Sequence, residues 1–287
     1  MKITIPEKNK VRKRDLIIYI SSLVVCILAI IISIYVQFFG SIDISKLVGK
    51  AKEKEFGQKT DEQIELLKAD FDKVFINSIE EYQEPNNIKK LDNEKKLVYT
   101  EYEKKESKVN SYDLEVRIPQ INIDNEIIAK CNKEIQDVFT NKTNSVLESE
   151  NKNIIYTVEY VATIQDDILF LMIRSNLKEG SSAQRVIIQT YNYDLKNNKQ
   201  LTLKELLEKE GIEEQVVNAK IKNTINQEQE KVEALKELGY NIYNRDYSKD
   251  MYKLENTTEF YLTGNTLYII YAYGNETFTS ELDLVII

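Results

Sequence analysis

"NIIYTVEYVATIQDDILFLMIRSNL", residues 153–177, reads as two strands folded back on each other. Runs rich in Ile, Val, Tyr, Thr and Phe flank Gln165-Asp166-Asp167, a polar cluster suited to a turn, so the pair reads as a hairpin. Adjacent carboxylates at Asp166 and Asp167 have two readings, a ligand or metal pair and a solvated turn. The turn is the simpler one. A small-residue loop, "KEGSSA" at 178–183, then leads into "QRVIIQTYNYDL" at 184–195, a further strand. The segment 153–193 is therefore strand-rich.

Working outward, "YNYDLKNNKQLTLKELL" at 191–207 continues that strand, with Tyr191, Tyr193 and Leu195 on one face. Asn197-Asn198 suits a tight turn because asparagine tolerates positive φ. Thr202 and Glu205 then have capping-box spacing, and Leu201 and Leu206 occupy the hydrophobic-staple positions of a new helix. A long helix follows over 213–238, ending at Gly239. "TTEFYLTGNTLYIIYAYG" at 257–274 is a hairpin around Gly264-Asn265, and Leu282, Leu284 and Ile286 alternate in a terminal strand.

Upstream, Tyr112, Leu114, Val116 and Ile118 alternate in a strand that Pro119 should stop. From about 125 to 148, Ile128, Cys131, Ile135, Val138, Phe139 and Val146 follow helical spacing, with Asp124 placed to cap. Cys131 falls on the apolar stripe and is expected to be a small core residue. The order of elements predicts an α+β fold: a largely antiparallel sheet with two long helices packed on one face. Residues 97–150 form a small strand-helix domain and 151–287 a C-terminal α+β domain.

Residues 41–96 read as a helical stalk and linker. In "TDEQIELLKADFDKVFINSIEEY" at 60–82, Thr60 and Gln63 form a capping box, and Ile64, Leu67, Phe71, Val74, Phe75 and Ile79 line one side of a helix. That stripe can pair with a second copy or lie on its own domain. The heptad does not persist, which favours the latter. Before the stalk, residues 16–39 carry no charge and as a helix span roughly 36 Å, enough to cross a hydrocarbon core of about 30 Å. Six basic against two acidic residues at 1–15 place that segment in the cytoplasm and the rest outside, on a single-pass, uncleaved anchor in the lipid bilayer.

Composition narrows the chemistry. The chain has 287 residues and no histidine, which excludes serine-histidine triads, His-ligated zinc and imidazole acid-base catalysis. Cys26 and Cys131 are too differently placed for a disulfide or a metal site. A net charge of -8, with a +4 segment at 1–15, leaves an ectodomain near -12, unsuited to nucleic acid. No residue set is assigned to catalysis, a cofactor or a metal. The expected ligand-contact loop is Glu179, Gly180, Ser181, Ser182, Gln184 and Arg185. Tyrosines 240, 243, 247 and 252 are either a binding surface or core, among 18 tyrosines in a chain without tryptophan.

The stretch 191–207, with "YTVEYVATIQDDILFLMI" before it and "TEFYLTGNTLYIIYAYG" after it, resembles the uncharacterised extracytoplasmic domain of RsiV-type anti-sigma factors and PdaC-type peptidoglycan-deacetylase precursors. "YDLEVRIPQINIDNEIIAKCNKEI" at 112–135 is similar to the smaller domain preceding it there, so the resemblance covers roughly 97–287. It implies a bacterial, Gram-positive membrane protein whose ectodomain contacts cell wall or an envelope protein, with a lysozyme-like protein as one ligand by family analogy. This sequence departs from the family where relatives carry a histidine in the loop now reading "KEGSSAQ", and it shows neither the catalytic nor the sigma-binding segment. The expectation is thus a binding or sensing protein and not an enzyme. The alternatives are a carboxylate-dependent wall-glycan hydrolase and a regulator of an extracytoplasmic-function sigma factor.

Overall fold

The computed structural model describes residues 56, 59–75, 88–182, 184–273 and 281–287. Among them no helix is long and apolar enough to cross a membrane. The span expected over 16–39, the segment 1–15 and residues 41–55 of the stalk lie outside the described residues.

Two sheets carry the fold. The larger has six strands in sequence order: β1 (Val98–Lys108), β2 (Tyr112–Ile121), β3 (Ile154–Gln165), β4 (Ile168–Glu179), β5 (Arg185–Asp194) and β6 (Lys199–Gln200). The hairpin read from 153–177 is β3 and β4, paired from Ile154↔Glu179 to Gln165↔Ile168. Asp166 and Asp167 take positive φ, 51° and 62°, and are exposed, as turn residues should be. The smaller sheet is antiparallel, with β7 (Phe260–Thr263), β8 (Thr266–Ala272) and β9 (Leu282–Ile286).

The larger sheet is mixed. β2 and β3 run parallel, and parallel neighbours need a crossover connection. That connection is α2 (Glu126–Ile135), a π-helical turn (Gln136–Thr140) and α3 (Asn141–Leu147), taking the place of the single helix expected at 125–148. One continuous sheet therefore joins 97–150 to 151–287. Asn125, not Asp124, caps α2, its Oδ1 accepting from the Ile127 N–H at 2.8 Å. Pro119 does not stop β2. It pairs with Thr100 beside a bulge and lies beyond the last β2–β3 pairing at Val116↔Val158, where a missing N–H is tolerated.

Both faces of this sheet are covered, one by the crossover helices and the other by the smaller sheet, which corrects the expectation of two long helices on one face. Under the crossover helix lie Ile128, Ile135, Phe139 and Val146 with Tyr156, Val158, Tyr160, Leu169, Leu171 and Ile173. On the other face Ile168, Phe170 and Met172 pack with the smaller sheet and with α4 (Leu203–Glu210) and α5 (Glu214–Glu237). β4 is consequently buried on both sides, which explains its unbroken "ILFLMI" run. Burying both faces required a second sheet, not helices alone.

The segment before the domain also departs from a continuous helix. α1 (Asp61–Ala69) starts at the expected Thr60–Gln63 capping box but ends at Asp70, and Phe71–Phe75 is a 3-10 turn. Phe71 and Phe75 are buried in the core, 5.8 Å apart edge to face. Arg174 lies over the Phe75 ring at 4.3 Å and ion-pairs with Asp72 and Glu159. The described part of the stripe thus lies on its own domain.

Candidate functional site

The expected contact loop is a tight connection between β4 and β5. Gly180 has φ 58°, open to glycine without strain, and its N–H donates to the Asn153 carbonyl at 3.1 Å. Glu179 is ion-paired with Arg185 and lies 3.5 Å from Lys142, while Gln184 donates to Asn176 Oδ1 at 3.1 Å. Ser181 and Ser182 are exposed. The charged members of this loop are therefore engaged with one another or with neighbouring elements.

The four tyrosines divide. Tyr252 is fully buried and Tyr240 is exposed, while Tyr243 stacks on Tyr273 at 4.5 Å and Tyr247 is half-buried. Tyr243 and Tyr252 edge a polar network centred on Arg245. Its guanidinium grips Asp283 through two 3.0 Å hydrogen bonds, ion-pairs with Glu281 and donates to the Tyr243 carbonyl at 2.9 Å. Tyr273 donates to Asp283 Oδ2 at 2.8 Å and meets the Tyr252 hydroxyl at 2.8 Å. Every charge here has a close partner, so the network clamps the 240–247 connection to β9.

A concave site lies elsewhere, at the end of the larger sheet. It is a cleft of about 660 Å³ assembled from four stretches: residues 88–89, residues 123–125, the β3–β4 turn and the β5–β6 turn. Ile123, Tyr193 and Leu195 are its buried apolar lining, with Ile88 beside them. Lys89 and Asp124 are ion-paired at 2.5 Å, and the Asp124 N–H donates to the Lys89 carbonyl at 2.9 Å. Asp167, Lys196 and Asn198 also line it. All three are exposed, and among the described residues their side chains have no hydrogen-bond or ion-pair partner.

Local turn chemistry builds that rim. Asp194 accepts from the N–H groups of Lys196 and Asn197 at 3.0 and 2.9 Å, an Asx turn that bends the chain at the cleft. These bonds hold its carboxyl below the usual range even though burial pushes the other way. Asn198 has φ 53°, as expected for the tight turn, and the Leu195 N–H closes on the Asp167 carbonyl at 2.9 Å. The Tyr193 hydroxyl is buried without a partner, and burial raises its pKa. Buried Asn122 anchors the wall: it donates to the Asp92 carbonyl at 2.6 Å and accepts from the Asp92 N–H at 2.9 Å.

Sequence reasoning placed Asp167 and Asn198 correctly in turns but did not assemble the cleft. Its parts are separated by tens of residues and carry no shared spacing. Cys131 is half-buried on α2, against the apolar layer beneath that helix, with burial raising its thiol pKa. Among the described residues no group of His, Cys, Asp and Glu is arranged to hold a metal.

Among the described residues Glu259 is the one carboxyl with a pKa raised, chiefly by burial, against hydrogen bonds from Thr190 and Thr258 that lower it. The raised value means the fold favours its protonated form. Its stabilising contribution is present at low pH and is lost as pH rises through the folded-state pKa. Glu259→Gln keeps an oxygen to accept from the Thr190 N–H, 2.5 Å away in the native chain. We expect this variant to be more heat-stable than the native chain at pH 8, with the difference vanishing near pH 4, in thermal melts across that range.

No protein-family model matches the chain, and no curated protein matches it. Among solved structures, a DUF3298 family protein from Pseudomonas aeruginosa is similar at 10% identity and a TM-score of 0.34, covering 70% of this chain and 91% of that one. A DUF3298 family member from Bacteroides fragilis is similar at 14% identity and a TM-score of 0.34, covering 61% and 81% respectively. The similarity is to DUF3298 proteins at that distance.

Proposed function

We propose that the chain is a membrane-anchored extracytoplasmic binding or sensing protein of the bacterial cell envelope that takes its ligand, cell wall or an envelope protein, at the cleft. The observation that carries this reading is the cleft itself. Its volume is in the range of ligand sites, and it combines an apolar lining with a few convergent polar groups that no partner occupies. The anchor over 16–39 and the basic segment 1–15 support the location. The finer resemblance to RsiV-type and PdaC-type proteins points to wall glycan or a lysozyme-like protein as ligand.

The reading is tested with the full chain in lipid nanodiscs, mixed in turn with insoluble Gram-positive wall material and with a lysozyme. Co-sedimentation or complex formation with one of them is expected, weakened at least tenfold by Lys196→Glu, an exposed charge reversal at the cleft. Binding of neither, or binding unaffected by Lys196→Glu, overturns it.

A further inference from the structure

We infer that the cleft takes a zwitterionic ligand with an apolar body, a short peptide with free termini, its carboxylate meeting Lys196 and its ammonium meeting Asp167. This rests on the reading of the cleft as the ligand site and narrows its occupant to a short peptide, in place of a wall glycan or a whole protein. Charge balance at the cleft points to this class. Lys89 and Asp124 already neutralise each other. Lys196 and Asp167 do not: among the described residues each is exposed and has no partner.

A ligand that fills the cleft strips water from both groups, and a desolvated charge is unfavourable unless an opposite charge replaces the water. A neutral sugar compensates neither. A simple anion leaves Asp167 bare, and a simple cation leaves Lys196 bare. A zwitterion satisfies both in one molecule. The lining selects further, because half-buried Ile88 gains from covering by an apolar group while Ile123, Tyr193 and Leu195, already buried, back the cleft with apolar side chains. Asn198 supplies an amide that a peptide backbone can use in either hydrogen-bonding sense.

The test is equilibrium dialysis of the full chain in nanodiscs, with empty nanodiscs as the blank, against three probes: trileucine, N-acetyl-trileucine amide and chitotriose. Saturable binding of trileucine is expected, at least tenfold weaker for the blocked peptide and absent for the sugar. Lys196→Gln and Asp167→Asn should each weaken trileucine at least tenfold. Both positions are exposed, and asparagine keeps the positive φ at 167 accessible, so folding is preserved. Equal binding of the blocked peptide, or binding of chitotriose alone, overturns the zwitterion while leaving the cleft a ligand site. No binding of trileucine overturns it too, and the wall and lysozyme experiment then judges the site separately.

Discussion

Arg245→Met is expected to destabilise the protein by about 3–5 kcal/mol, read as a lower urea midpoint. The side chains of Arg245 and Asp283 are 6% and 2% exposed, and Glu281 lies beside them. Removing the cation leaves two carboxylates in a site where water cannot replace it. Burial alone lowers the guanidinium's pKa, and the two carboxylates more than reverse that, so it stays charged. The size of the loss comes from the partners left behind, not from the strength of the pair. A double variant, Arg245→Met with Asp283→Leu, should therefore recover a large part of it. By contrast, Lys105→Ala breaks a pair with Glu115 whose side chains are 75% and 61% exposed, and should change stability by less than about 1 kcal/mol. A loss at Lys105 as large as that at Arg245 would refute this account.

Phe170→Ala should cost a comparable ~3–5 kcal/mol through the cavity it opens. Phe170 is fully buried on β4 and meets Tyr261 of the smaller sheet edge to face, with ring centroids 6.5 Å apart. It is a direct contact between the two sheets, so its loss weakens their association as well as the local packing. Urea unfolding checks this against Ile155→Ala, on the neighbouring strand but 45% exposed, which should stay within about 0.5 kcal/mol of the native chain. Equal effects at 155 and 170 would mean that the second face of the sheet is not a packed core.

Local features were the legible ones. The Thr202–Glu205 capping box forms as the spacing predicts, the Thr60–Gln63 box does likewise, and Gly239 follows the long helix with φ 89°. Each depends on residues within a few positions of one another, where side chain and backbone meet whatever the rest of the chain does. Tyr252, read as a possible surface residue, is buried because its hydroxyl finds Tyr273, which is 21 residues away. Nothing in the local sequence of Tyr252 announces that partner.

The amino-acid sequence alone determined the β3–β4 hairpin, the capping boxes at Thr60 and Thr202, the exclusion of histidine chemistry and the apolar run over 16–39, but neither β1 nor the Asn125 cap. Only the tertiary structure decided that β2 and β3 run parallel, that β4 is covered on both faces, and that Lys89, Asp124, Asp167 and Lys196 meet at one cleft. The reason is the range of the interactions. Hydrogen-bonded turns and caps are settled over three or four residues, whereas strand partners, covered faces and clefts depend on which distant apolar surfaces find each other.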